Sequence, residues 1–156
     1  MKATNSQVIK QQVVYLPVKD LARAQKFYAD IFDFDVRAFS YIEYLSGEKW
    51  SIFPLTKLDT TGQQIPTGFL SLGLGCSPHL IPSHEGTLVF LPCDDIDAVL
   101  FKVEKHGGQI LQGKTKDPYK SSDKKQDVIL QHAFFSDTEG NKVGLTYCKI
   151  LTTIST

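Results

Sequence analysis

Apolar and polar positions along the chain change period in a regular way. Val13, Val14, Tyr15, Leu16, Pro17 and Val18 form a β-prone run, and Leu21, Ala24, Phe27, Tyr28, Ile31 and Phe32 then recur at three- and four-residue steps. The first pattern predicts a strand and the second one stripe of a helix. Asp20 stands between them, where its carboxylate can accept the free N–H groups of a helix start. A single apolar stripe must lie on something, so the helix is expected on a sheet. Alternation along the strand turns Val14, Leu16 and Val18 toward the helix and Val13, Tyr15 and Pro17 to the opposite face.

The same grammar returns 75 positions later. Thr87 to Cys93 repeats the strand, Asp94 or Asp95 the cap, and Ile96, Val99, Leu100 and Val103 the helical stripe. Lys105 and His106 suit the negative end of the helix dipole, and Gly107 and Gly108 supply the left-handed backbone that ends a helix. Aligned without a gap, Leu16 matches Leu91, Pro17 matches Pro92 and Asp20 matches Asp95, with Tyr15/Phe90, Val18/Cys93 and Leu21/Ile96 as conservative pairs. Any strand-to-helix junction selects apolar residues and a capping Asp. It does not select a matched proline, which strands avoid, so the chain is read as a duplication.

Strand-like stretches follow each helix. In the first half Asp35 to Phe39 and Tyr41 to Leu45 lead through the turn Ser46 to Lys49 into Trp50 to Phe53; in the second, Gln109 to Leu111 and Val128 to Phe135 lead through Asp137 to Asn141 into Val143 to Cys148. Each half therefore reads βαβββ, with modules at 10–56 and 86–149 inside one domain of 156 residues. Residues 57–85, with Pro66, Pro78 and Pro82, read as a linker holding at most one short strand at Phe69 to Leu74. The lysine-rich stretch 113–127 reads as a solvated loop, with a lid over a ligand site as the sharper alternative.

Charge and composition narrow the partners. Seventeen basic and seventeen acidic residues cancel, so no broad positive field exists to attract nucleic acid or an anionic membrane. The polar opening and the absence of a long apolar run point to a soluble, unexported protein. Cys76, Cys93 and Cys148 lie in dissimilar surroundings without a CxxC pair, which suits reduced thiols in the cytoplasm.

A strand ending in PVxD, a helix reading LxRAxxFYxxxF, a GG after the second helix and a closing AFFSDTEGN followed by VGL together resemble the glyoxalase, bleomycin-resistance and extradiol dioxygenase superfamily, the vicinal oxygen chelate proteins. The resemblance implies an α+β fold in which two βαβββ modules form curved mixed sheets around a cavity, with helices outside. It also implies a divalent metal acting as a Lewis acid on chelating substrate oxygens. The family's first ligand stands seven residues before the helix-opening Asp, which maps to Val13 and, in the second half, Leu88. The other pair stands four residues after the glycine of the closing turn, which maps to Ser51 and Gly144. Hydrocarbon, a hydroxyl and a glycine are not a donor set for a divalent ion.

The expected cavity is therefore an apolar ligand-binding pocket lined by Val13, Tyr15, Ser51, Phe53, Leu88, Phe90, His132, Phe134 and Gly144, with no metal or other cofactor and no assigned catalytic group. His132 is the best single polar candidate, because Ala133 and Phe135 match the helix-facing pair and leave His132 and Phe134 on the cavity side. The leading expectation is a small-molecule binder resembling the bleomycin-resistance branch, and the resemblance alone implies a homodimer. The alternative is a lyase, isomerase or dioxygenase with a displaced divalent metal held by some of Gln11, Glu48, Ser51 and His132. The CxxHxxxxH run of Cys76, His79 and His84 is broken by Pro78 and Pro82 and lacks a fourth ligand for zinc. Asp137 to Asn141 reads as a hairpin turn.

Overall fold

A computed structural model of the chain describes residues 12–53, 56–58, 64–66, 70–120 and 127–151. Strand β1 (Gln12–Pro17) leads into helix α1 (Leu21–Phe32), followed by β2 (Ser40–Glu43), β3 (Lys49–Ile52), a small hairpin of β4 (Thr56–Leu58) and β5 (Gln64–Pro66), and β6 (Leu70–Cys76). The second half runs β7 (Val89–Pro92), α2 (Ile96–Lys105), β8 (Gln109–Lys120), β9 (Asp127–Ser136) and β10 (Lys142–Leu151). One sheet has the order β1-β6-β3-β2 and the other β7-β10-β9-β8. In each, the opening strand pairs parallel with the last strand of its module, and the other neighbours pair antiparallel. These are two copies of one α+β module.

The helices form where the apolar stripes predict them. Asp20 accepts from Arg23 N at 3.0 Å and Asp95 from Ala98 N at 3.0 Å, so each matched aspartate caps its helix. Helix α1 buries Leu21, Ala24, Phe27, Tyr28, Ala29 and Ile31, and α2 buries Ile96, Val99, Leu100 and Val103. Together with Leu16, Val18, Leu74, Ala133, Phe135, Val143 and Leu145 these side chains make one core shared by both modules. Each large side chain so buried contributes roughly 1.5–3 kcal/mol. Gly107 ends α2 with φ of +93°, and a side chain at Gly108 would meet the Ser136 carbonyl oxygen at 2.8 Å.

Three predicted elements are corrected. Residues 36–38 form a short 3-10 turn closed by Asp35, whose carboxylate accepts from Arg37 N, and not a strand. The short strand expected inside the linker at Phe69 to Leu74 stands as β6, Leu70–Cys76, but it is an interior strand of the first sheet and so belongs to the module and not to a linker. The expected loop at 113–127 is largely strand, since β8 continues to Lys120 and β9 begins at Asp127, with 121–126 outside the described residues. Register shifts between Ile110 and Thr115 give β8 a bulge that periodicity could not show.

The turn between β9 and β10 does more than reverse the chain. Asp137 accepts the backbone N–H of Glu139 and Asn141, each at 2.9 Å, which shapes the turn. Glu139, its side chain wholly buried, then accepts from Lys19 N and Asp20 N at 2.8 Å and from Arg23 Nε at 2.6 Å. Asn141 donates to the Pro17 carbonyl at 2.7 Å, and Tyr28 donates to Asp137 at 2.7 Å. A turn of the second module thus clasps the strand-to-helix junction of the first.

Candidate functional site

Each sheet has one face against the helices and one open face. On the first sheet the inward set includes Leu72, Leu74 and Ser51, all buried. The open set includes Tyr15, Gly73, Gly75 and Trp50, brought side by side because Tyr15 pairs with Gly73 and Trp50 with Gly75. The absent side chains on β6 matter here. A Cβ on Gly73 would collide with the Tyr15 ring, and one on Gly75 would come 2.7 Å from the Trp50 ring. The two rings therefore lie over β6 and meet edge to face, with centroids 4.6 Å apart.

Beyond them the turn at Gly47 folds Tyr44 back toward Glu48, with Tyr44 N donating to the Glu48 carbonyl at 2.9 Å. Tyr15, Tyr44, Ser46, Glu48 and Trp50 line an open recess of about 470 Å³. The Glu48 carboxylate accepts from Ser77 Oγ at 2.6 Å and Ser46 Oγ at 3.3 Å. Burial, and then the neighbouring Tyr44, raise the Tyr15 phenol above its ordinary value.

The second sheet repeats the device with other residues. Phe90 pairs with Gly144 and lies over it, Phe134 pairs with Gly144 from the other side, and the Phe90 and Phe134 rings meet at 5.5 Å. His132 packs against Phe134, also at 5.5 Å, and its Nε2 is 3.0 Å from Thr115 Oγ1. Lys142 places its ammonium 4.6 Å from the centre of the Phe134 ring. A smaller cavity of about 190 Å³ is lined by Val14–Pro17 of β1, by residues of the 81–89 stretch and by Asn141 and Lys142.

Of the nine residues expected in the pocket, the structure brings Tyr15 to one open face and Phe90, His132, Phe134 and Gly144 together on the other. Val13 is half-buried at the start of β1, and Leu88, 39% exposed, just precedes β7. Tyr15 lines both cavities described above, and Phe90, His132 and Phe134 line neither. Ser51 and Phe53 are corrections. Ser51 is 1% exposed and its Oγ accepts from Gln25 of α1 at 2.9 Å, while Phe53 sits in the core against Tyr28 and Phe39. Their register explains the error: Ser51 pairs with Leu74 as Ala133 pairs with Leu145, so Trp50-Ser51-Ile52-Phe53 corresponds to His132-Ala133-Phe134-Phe135. The counterpart of Gly144 is Gly73, not Ser51.

Sequence reasoning thus missed Trp50, Gly73 and Gly75. The signal was present, since Leu72-Gly73-Leu74 echoes Val143-Gly144-Leu145. It is displaced because the first module runs shorter from β1 to β3, and longer from β3 to β6, than the second does between the equivalent strands.

The residues present do not fit the metal that the resemblance implies. Val13, Leu88, Gly73 and Gly144 offer no donor, and Ser51 is turned beneath α1. Among the described residues no three His, Cys, Asp or Glu side chains are grouped to hold an ion. Glu48, in the turn before β3, and His132, on β9, are candidates for a displaced site that belong to different modules, and Gln11 lies outside the described residues. Cys76 approaches the Lys19 carbonyl at 3.5 Å and His84 is 3.0 Å from Ser136 Oγ, each engaged separately from a zinc arrangement. Burial, then Asp94 and Asp95, push the Cys93 thiol up to about 11, which removes it as a nucleophile at neutral pH.

Residues 10–145 match the Glyoxalase/Bleomycin resistance protein/Dioxygenase superfamily. The chain belongs to that superfamily. No curated protein matches the chain. Among solved structures, a glyoxalase/bleomycin resistance protein from Albidiferax ferrireducens T118 is 14% identical with a TM-score of 0.55, over 87% of this chain and 97% of that one. One of the same description from Streptomyces sp. CB03234 is 24% identical with a TM-score of 0.51, over 86% and 97%. A glyoxalase-related enzyme from Fulvimarina pelagi is 12% identical with a TM-score of 0.54, over 92% and 88%. At such identities the likeness of these superfamily members is one of fold. Among the described residues no helix is long and apolar enough to cross a membrane.

Proposed function

We propose that this superfamily member is a metal-free small-molecule-binding protein that takes flat or aromatic compounds on the aromatic open faces of its sheets. One observation carries the reading. Where a metal enzyme of this architecture would need donors, both modules instead set an aromatic ring over a glycine, Tyr15 on Gly73 and Phe90 on Gly144. Rings beside bare backbone favour stacking and burial of a planar ligand. The working unit in this reading is a homodimer in the cytoplasm; analytical ultracentrifugation at micromolar concentration giving a monomer alone would remove the dimer.

Thermal-shift screening followed by titration calorimetry against aromatic natural products tests the binding function. At least one compound is expected to bind more tightly than about 1 mM, and Phe90→Ala or Tyr15→Ala is expected to weaken it. A screen with no such compound sinks the proposal. So would one divalent ion per chain in protein purified without chelator, lost on His132→Ala.

A further inference from the structure

The recess on the first sheet has a chemical character that the second face lacks. Three aromatic side chains, Tyr15, Tyr44 and Trp50, surround it together with one carboxylate, Glu48, and among the described residues no lysine or arginine lines it. Glu48 immediately precedes β3 and lines the recess beside Trp50, while the turn at Gly47 brings Tyr44, just after β2, across to Glu48. The glycines of β6 let the Tyr15 and Trp50 rings meet across that strand.

Aromatic faces attract cations, tryptophan most strongly, and a nearby carboxylate adds a full negative charge. On the second sheet the chain supplies such a cation itself, with Lys142 over Phe134. We propose that the recess of Tyr15, Tyr44, Trp50 and Glu48 binds a small organic cation of the alkylated-ammonium class. The inference rests on the binding-protein reading and names the ligand chemistry of one of its two faces. An alkylated ammonium fits better than a bare metal ion. Its hydration is weak enough for rings to replace it, whereas a hard divalent cation needs six or more oxygen ligands and Glu48 already accepts from two serines.

Trp50 is the chain's one tryptophan, so its fluorescence reports this recess directly. The full chain would be titrated with choline, with its neutral isostere 3,3-dimethylbutan-1-ol, and with the flat neutral probe 2-naphthol followed by calorimetry. Choline is expected to change Trp50 emission and to bind about tenfold more tightly than the isostere. Glu48→Gln is expected to weaken choline about fivefold or more while leaving the isostere unchanged. Tyr44→Ala, at a residue 54% exposed, serves as a second variant that spares the core.

Equal binding of choline and its isostere, or choline binding untouched by both variants, overturns the inference. Binding of 2-naphthol without binding of choline at about 10 mM overturns it while leaving the binding-protein reading in place. Failure of all three probes, together with an empty aromatic screen, overturns both.

Discussion

The two modules share a register and differ in what they expose. Facing the helices, Ser51 and Ala133, Phe53 and Phe135, and Leu74 and Leu145 occupy equivalent places, and all are buried. On the open side Trp50 stands where His132 does, Tyr15 where Phe90 does, and Gly75 where Thr146 does. The inner face must pack against a helix at close to crystalline density, which restricts residue type and size. The open face carries no such restraint, so one copy presents a carboxylate with two tyrosines and a tryptophan, and the other a lysine and a histidine beside phenylalanines. The two copies diverge on the side of the repeat that packing leaves alone.

The largest effect expected is on the inner face. Phe135→Ala and Phe53→Ala should each cost about 3–5 kcal/mol in urea unfolding, against under about 1 kcal/mol for the half-exposed Phe90→Ala. A Phe53 variant as mild as the Phe90 variant would break the equivalence and return Phe53 to the open face.

The clasp is the next largest, because it ties a turn of the second module to the helix start of the first. Glu139→Ala strands the N–H groups of Lys19 and Asp20 and the Arg23 guanidinium, and should cost about 2–3 kcal/mol. Asp95→Ala, which removes a cap within its own module, should cost about 1 kcal/mol. Burial alone would raise the Glu139 carboxyl, but the bonds from Arg23, Asp20 and Lys19 outweigh it and hold the group below its ordinary 4.5. Its stabilisation is therefore complete above that pH and is lost as pH falls through the folded value. Acid unfolding curves of wild type and Glu139→Gln should converge below 4.5; curves that stay parallel would remove Glu139 from the acid transition.

Smaller still are the glycine substitutions that sharpen the open-face comparison. Gly144→Ala should cost about 1–2 kcal/mol and be relieved in a Phe90→Ala double variant, since the Phe90 ring is what the new methyl meets. Gly73→Ala should cost more and be relieved less by Tyr15→Ala, because its methyl would also stand 2.8 Å from the Ser51 carbonyl oxygen. Equal relief in both double-mutant cycles would contradict the difference between the two sites. The smallest effect is chemical: at pH 8 iodoacetamide should label exposed Cys148 well before Cys93, whose thiol is pushed up to about 11. Mass spectrometry of labelled peptides reads the order, and preferential labelling of Cys93 would contradict its burial.

Local signals carried much of this architecture. The capping aspartates Asp20 and Asp95, the helix stripes and the alternation of Ala133 and Phe135 against His132 and Phe134 each depend on neighbours within a few residues, and each stands where periodicity places it. The duplication also exposed the missing metal donors at Val13 and Leu88. Failures came where spacing between copies changed. The copies are 75 positions apart at Tyr15 and Phe90, but 82 at Ser51 and Ala133 and 71 at Gly73 and Gly144. A constant offset therefore leaves the short strand expected at Phe69 to Leu74 inside a linker, and the four-residue step from each turn glycine sets Ser51 opposite Gly144.

Strand pairing is a long-range choice among segments of similar local preference, and a shift of one residue exchanges the faces of a whole strand. Only the assembled sheet could place Leu70–Cys76 between β1 and β3, turn Ser51 under Gln25 and bring Trp50 across to Tyr15. The clasp from Glu139 to a helix start 119 residues away is of the same kind. Backbone propensity and side-chain period are properties of short stretches and can be read from residue order; register and convergence arise from contacts between distant stretches, and exist only once the chain has packed.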